Sequence, residues 1–439
     1  QHLSAVALLR VALSDALLQP FQALRLALVL GFQGVDGLRA GLDDSFAFAL
    51  KLSPARFHAP RLFALGHQLR MPGSGQLLRD LGRLSLSKAL CDAGLGAVEP
   101  PPFTIDTLRF LFQPGLFLPD SRKLVTERPG RLRLVGADGQ LDPQPVTGVP
   151  PVVAIGQGGL LDVALHPEFA RNGWVYLSYA GADADGYGTE VIRGRLDGHA
   201  LRDVEVIFRM QPRSASSHHF GSRLVFDRQG FLYITLGERG DKDRAQRLDD
   251  HAGSVIRLHD DGRVPADNPF VGKSGARPEK FTLGHRNIQG AALHPKTGEL
   301  WAHEHGPQGG DEINIIRAGR NYGWPVITYG RNYITGTSIG EGTAKAGMVQ
   351  PLWQWTPSIA PSGMAFYTGN RFPAWRGNLF VGALKGQMLV RLILDGEGIV
   401  REERLLEGQL GRIRDVRNGP DGFIYLLIDG SRGKIVRLE

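Results

Sequence analysis

The sequence predicts an all-β chain: a six-bladed β-propeller of four-stranded antiparallel blades, preceded by an atypical N-terminal segment. Three observations predict it. Glycine accounts for 58 of 439 residues, which suits many tight turns and therefore many short strands. From about residue 103 onward, apolar residues alternate in short runs instead of recurring at helical spacing. Those runs form six copies of one unit, and self-similarity at such a period means a solenoid, propeller or array.

Residues 1–102 come first and stand apart. Their first hundred are about a quarter leucine, rich in Ala, Arg and Gln, and nearly free of Lys and Glu. No helix caps align with a sustained 3.6-residue period, and no strand alternation holds. Three readings stand: an unusual leader, sequence outside the native fold such as translation from a wrong frame or start, and a small helical domain. The composition favours the first two. Pro100, Pro101 and Pro102 then mark the change of character.

The repeats follow over residues 103–439. The first, 116–135, reads LFLPDSRKLVTERPGRLRLV. The second is DVALHPEFARNGWVYL at 162–177, with 191–196 after it. LVFDRQGFLYITL at 224–236 is the third, followed by 254–258. AALHPKTGELWAH at 291–303 comes next, with 312–316. The fifth spans 364–381, with 388–393, and the sixth is VRNGPDGFIYLL at 416–427, with 434–438. Each has an apolar strand, a Pro, Asp or Gly turn and a second apolar strand, as a propeller blade requires. Insertions at 179–190, 237–253 and 328–350 are expected on the rim, where binding groups commonly sit.

Charge and composition bound the function. Hydrophobic residues make up 42% and charged residues 22%, as in globular proteins, and the formal net charge is +7. The cations are scattered singly, without the Lys/Arg block that binds phosphate backbones, so a nucleic-acid partner is not expected. An anionic small molecule held by convergent arginines suits the pattern. Cys91 is the single cysteine, so no intrachain disulfide forms. No run of about 20 uncharged apolar residues predicts a membrane span. The start at Gln1 shows no clean signal-peptide pattern.

Five stretches do not read as scaffold: GQGGLL at 156–161, SSHHFGSR at 216–223, GHRNIQG at 284–290, EHGPQGGDEIN at 304–314 with NYGWP at 321–325, and RIRD at 412–415. Each adjoins a strand of a different repeat, and equivalent strand ends of a propeller meet around one opening. His219 has an imidazole suited to general-base work, though a lone histidine reads as readily as a core or turn residue. Arg286 reads either as an anion holder or as a brace on loop carbonyls. Arg412 and Arg414, two apart, would share one strand face. His303, Glu304 and His305 superficially suggest a transition metal.

In these five stretches, in their order and spacing over residues 103–439, the sequence resembles the soluble pyrroloquinoline quinone (PQQ)-dependent aldose sugar dehydrogenases, related to soluble glucose dehydrogenase. The resemblance implies His219 as general base and Glu238, in LGERG, as the acid that orients it. It implies Arg286 and Asn287 as the pair gripping the quinone, with Gln157 as a further cofactor contact. Lys385, Arg412 and Arg414 would meet the carboxylates of PQQ. Ser358 falls where soluble glucose dehydrogenase has a cofactor-contacting Thr. His218 stands where that enzyme has a sugar-contacting Asp, which leaves the preferred sugar open. The carbonyls of Gly306 and Pro307 would hold a Ca²⁺ that also binds PQQ, and Glu312 with the Tyr322 carbonyl a second Ca²⁺.

The expected activity is oxidation of an aldose at C1 to the lactone, with electrons passed to an external acceptor. A periplasmic or secreted monomer or homodimer is implied. Two rivals are a non-catalytic propeller used for recognition and a calcium-dependent lactonase-type hydrolase. The first would be expected to lose the base or the cations. The second calls for Asn, Asp and Glu side chains around a central metal.

Overall fold

The computed structural model describes residues 105–109 and 115–439, all within the unit that spans residues 102–439. The expectations for residues 1–102 fall outside the described residues.

The chain contributes β1 (Ile105–Arg109), then a three-stranded meander of β2 (Gly115–Phe117), β3 (Lys123–Glu127) and β4 (Arg131–Val135). A four-stranded meander follows: β5 (Leu160–Leu165), β6 (Trp174–Asp183), β7 (Gly186–Asp197) and β8 (Ala200–Arg209). The next has three strands, β9 (Leu224–Phe226), β10 (Leu232–Thr235) and β11 (Val255–Leu258). Two four-stranded meanders complete the series. One holds β12 (Ile288–Leu293), β13 (Leu300–Glu304), β14 (Asp311–Ile316) and β15 (Trp353–Trp355). The other holds β16 (Pro361–Phe366), β17 (Leu379–Ala383), β18 (Met388–Asp395) and β19 (Gly398–Leu405). The last sheet is composite: β20 (Ile413–Asn418), β21 (Ile424–Ile428) and β22 (Lys434–Leu438) receive β1 on their outer edge, with Ile105 opposite Leu438.

The expectation of six four-stranded blades is therefore corrected. The propeller has five blades of three or four strands, and the sheet that joins the two ends of the propeller unit is a closure built from distant segments. Two meanders lack an outer strand for a physical reason. Beyond β4, only the isolated bridges Leu132–Val146 and Val135–Leu141 form, where Pro143 and Pro145 remove ladder donors. Beyond β11, Pro265, Pro269 and Pro278 interrupt the chain before the single bridge Ile256–Lys280.

Burial follows strand position. The middle strands β13, β17 and β21 are buried at every residue, because apolar layers press on both faces. Outer β19 is exposed or half-buried throughout and carries Arg401, Glu402, Glu403 and Arg404. Each pair of adjacent sheets traps its own layer, such as Trp301, Ile313, Met364, Val381 and Val390 between two of them. Val125, Val135, Tyr425, Leu427 and Ile435 close the circle. First strands of the meanders lie beside one another at the centre, so the starts of first strands and the ends of second strands share one edge. Among the described residues no helix is long and apolar enough to cross a membrane.

Candidate active site

His219 lies in the loop between β8 and β9, with a backbone in the left-handed region at φ 53°. Its carbonyl approaches Gly237 so closely that a Cβ there would lie 2.2 Å away, which requires glycine. Nδ1 of His219 meets Oε2 of Glu238 at 2.5 Å, and the Glu238 side chain is only 3% exposed. A carboxylate at Nδ1 favours the tautomer with its proton there, leaving Nε2 as an acceptor. Nε2 makes no hydrogen bond to a described residue, and the ring is 14% exposed, so it is reachable from solvent.

Three neighbours set this loop. Gln157, in the turn before β5, accepts the His219 amide proton at Oε1 (2.9 Å) and donates its own amide to the Ser217 carbonyl (2.8 Å). Asn287 Oδ1 accepts from the Gly221 amide at 3.2 Å. Arg239, which follows Glu238, donates to the carbonyls of His218 and Ser216, the latter at 2.6 Å. Burial pulls the Arg239 pKa down to about 9, with a further lowering from Arg244 and only a partial offset from Glu238. Sequence reading missed Arg239. Its one signal was an arginine directly after the acid in the glycine-flanked LGERG turn.

Arg286 precedes β12. Nη1 donates to the carbonyls of His305 (3.0 Å) and Gly306 (2.8 Å), and the guanidinium lies 5.4 Å from the Trp324 ring centroid. Arg286 thus braces a loop. It also ties into the His219–Glu238 pair: its carbonyl accepts the Glu238 amide at 2.9 Å. His305 reports the convergence of the distant stretches. Burial, opposed by its hydrogen bond to the Pro361 carbonyl and aided by Arg286, His219 and Arg414, lowers its pKa to about 3.

Arg412 and Arg414 meet on one carboxylate. Arg412 Nε and Arg414 Nη2 lie 3.2 and 2.8 Å from Asp429 Oδ2. The shared strand face is corrected: Arg412 precedes β20, and Arg414 occupies the bulge between Ile413 and Asp415. Burial raises the Asp429 pKa, and the two arginines more than offset it, leaving the carboxylate below its usual range. Lys385, in the turn after β17, is exposed and its ammonium has no partner among the described residues. Two arginines therefore share one acid, and Lys385 has none among the described residues.

Ser358 donates to Asp311 Oδ2 at 2.7 Å. Asp311 also accepts from the amides of Ile359, Ala360 and Gly306 at 2.9–3.0 Å, so it joins the 306 loop to the turn before β16. This pinning acid was also missed, because amide acceptance leaves no sequence trace. Glu312 stands opposite Glu304 in the β13–β14 register. Burial pushes its pKa well above the usual carboxylate range, and Glu304 and Asp311 push the same way. Glu312, Tyr322, Gly306 and Arg286 line one small cavity, whereas Pro307 is buried just outside that set.

A further buried cluster fills the centre. Arg223 Nη1 lies 3.2 Å from Asp162 and 3.3 Å from Asp415, and Arg417 bonds the same two acids at 3.2 and 2.7 Å. It ties β5 and β20 to the entry of β9.

Comparison with known proteins shows the family. The family described as Glucose / Sorbosone dehydrogenase matches residues 115–437. The aldose sugar dehydrogenase YliI of Escherichia coli (strain K12) is 47% identical over 329 residues, covering 74% of this chain and 88% of that protein. A solved glucose dehydrogenase structure is 50% identical with a TM-score of 0.74, covering 76% and 99% of the two chains. The PQQ-bound aldose sugar dehydrogenase of Streptomyces coelicolor is 28% identical with a TM-score of 0.61, covering 77% and 99%. The chain belongs to the glucose / sorbosone dehydrogenase family and is a sugar-oxidising enzyme.

Proposed function

We propose that this chain oxidises aldoses at C1 to the lactone, with PQQ as cofactor, His219 as general base and an external electron acceptor. The observation that carries the reading is the His219–Glu238 pair: Nδ1 is held at 2.5 Å, and Nε2 has no described partner. Its backbone tie to Arg286 and the partnerless Nε of Arg414 fit an anionic cofactor, and Lys385 and Arg412 add further positive charge. PQQ carries three carboxylates, and forked guanidinium donors match planar carboxylates.

When bound, PQQ supplies a hydride acceptor. The chain's residues do the rest. His219 Nε2 takes the proton of the anomeric hydroxyl, and Glu238 stabilises the imidazolium that results. The Arg286 guanidinium would stabilise negative charge that develops on a bound quinone. Gln157 and Asn287 keep the His219 loop in register while Ser358 is oriented by Asp311.

Calcium belongs to the same reading. Glu312 is a half-buried acid whose hydrogen-bond contact is a 3.5 Å approach by Asn314, and it faces Glu304. A divalent cation held by Glu312 and the Tyr322 carbonyl would relieve both acids. The Gly306 carbonyl, already bonded to Arg286, keeps a second lone pair, and with the Pro307 carbonyl it could take a second Ca²⁺. A periplasmic or secreted monomer or homodimer completes the proposal.

Reconstitution tests it. PQQ and CaCl₂ are added to purified protein, dye reduction is followed with glucose and other aldoses, and the product is identified by NMR. PQQ-dependent formation of a lactone is expected. Absence of PQQ-dependent turnover with every aldose would overturn the reading.

A further inference from the structure

We propose that Arg239 is a positioning residue for His219: by gripping the carbonyls of Ser216 and His218, it fixes the left-handed backbone that aims the imidazole. The inference rests on the reading of His219 as the proton acceptor.

A non-glycine residue at φ 53° is in a sparsely populated region that surrounding contacts must over-determine. The peptide that joins His218 to His219 carries two polar groups, and both are anchored. Its N–H donates to Gln157 Oε1 at 2.9 Å, and its C=O accepts from Arg239 Nη1. Turning this peptide plane would break both bonds. Arg239 Nη2 extends the grip to the Ser216 carbonyl at 2.6 Å, so one guanidinium bridges the first and third residues before His219 on the loop. Only a fork of parallel donors does this, and a lysine ammonium has no such geometry.

The residue after His219 is held by the same side chain. The Arg239 guanidinium lies 3.5 Å from the Phe220 ring centroid, within stacking reach. The turn after β10 therefore acts on His219 at three successive positions. Gly237 leaves room for its carbonyl, Glu238 takes Nδ1, and Arg239 takes the carbonyls before it.

The arrangement is costly for a structural brace. Arg239 is 1% exposed, forms no salt bridge among the described residues, and its Nε has no hydrogen-bond partner. A buried cation without a paired acid is expensive, and an apolar side chain of similar length would cover Phe220 at lower cost. What an apolar side chain could not do is hold two carbonyls.

The test compares wild type, Arg239→Met, His219→Ala and the double variant, all reconstituted with PQQ and Ca²⁺. General-base catalysis contributes about 10²–10⁴-fold, so a misaimed base in Arg239→Met should lower kcat by about 10–100-fold while KM and PQQ affinity stay within about threefold. In the His219→Ala background the same substitution should change kcat by less than about twofold, because the residue acts through His219. Independently of turnover, histidine NMR of the apo-protein should show an altered His219 ring titration in Arg239→Met. Losses that multiply in the double variant, or a His219 titration unchanged in Arg239→Met, would overturn the proposal. Should Arg239→Met fail to fold, Arg239→Lys and Arg239→Gln carry the same comparison. If His219→Ala alone retains kcat, the base reading fails, and the apo-protein titration still decides whether Arg239 sets the ring.

Discussion

Gln157 Oε1 accepts the amide proton of His219 across a boundary between two blades, at 2.9 Å. The turn before β5 thereby holds the loop before β9, and the two stretches GQGG and SSHHFG act as one unit. Gln157→Ala removes the acceptor, leaving an amide in a strained loop without its partner. Hydrogen exchange of the His219 amide in the apo-protein should accelerate by about tenfold or more, the equivalent of a lost hydrogen bond of about 1.4 kcal/mol. Exchange at wild-type rate would show that the loop holds itself without Gln157.

Glu238 governs which nitrogen of His219 is free. Glu238→Gln keeps the shape of the side chain while removing the charge that stabilises an imidazolium. We expect kcat to fall by roughly 10²-fold, within the range of general-base contributions, with little change in PQQ affinity. Rapid-mixing measurement of the reductive half-reaction reads this step directly. A variant with wild-type kcat would take Glu238 out of the proton transfer.

Arg414 bonds Asp429 at 2.8 Å, yet its Nε is buried without a partner, so its donors are not used up within the chain. A bound carboxylate would satisfy the rest. A hydrogen bond to a charged group contributes about 1.5–3 kcal/mol, so Arg414→Met should weaken PQQ binding by roughly 10–100-fold. Lys385→Ala, at an exposed position, should have a smaller effect that disappears with added salt. Titration of apo-protein with PQQ at two ionic strengths separates the two. Equal losses for both variants would contradict the buried and exposed roles assigned here.

The site was more legible in sequence than the way the ring closes. By residue type alone His219 reads as base or core residue and Arg286 as anion holder or brace, and only the order of the five stretches singles them out with Arg414; all three act on the His305 ring. Arg239 and Asp311 were invisible because their partners are backbone groups, which any residue supplies. The double use of Arg286, as loop brace and as backbone acceptor for Glu238, was not readable for the same reason. The pairing of β1 with β22 joins segments from opposite ends of the propeller unit, and no local pattern predicts such a partner. The missing outer strands are different: the prolines at 143, 145, 265, 269 and 278 carried the signal, and the repeat pattern outweighed it.

Lys280 allows a test of the fold that is independent of catalysis. Its ammonium is fully buried and donates to the carbonyls of Arg247 (2.8 Å) and Asp250 (2.6 Å), anchoring the 237–253 insertion next to the Glu238 turn. Burial draws its pKa from 10.5 down to about 8, and the nearby Asp250 and Asp249 offset this only in part. The unfolded chain therefore binds the proton more tightly than the folded one. Below pH 8 both states are protonated and the cost of burying the charge is fully present. Between about 8 and 10.5 the unfolded state holds more protons, so this residue's contribution to stability rises with pH. The change is on the order of 3 kcal/mol across that window. Lys280→Met lowers stability at every pH by orphaning two carbonyls, and it also removes the slope. Urea unfolding of wild type and variant at intervals from pH 7.5 to 10.5 should give curves that diverge as pH rises, with wild type gaining on the variant. Parallel curves would mean that the Lys280 ammonium keeps its ordinary affinity for protons in the folded chain.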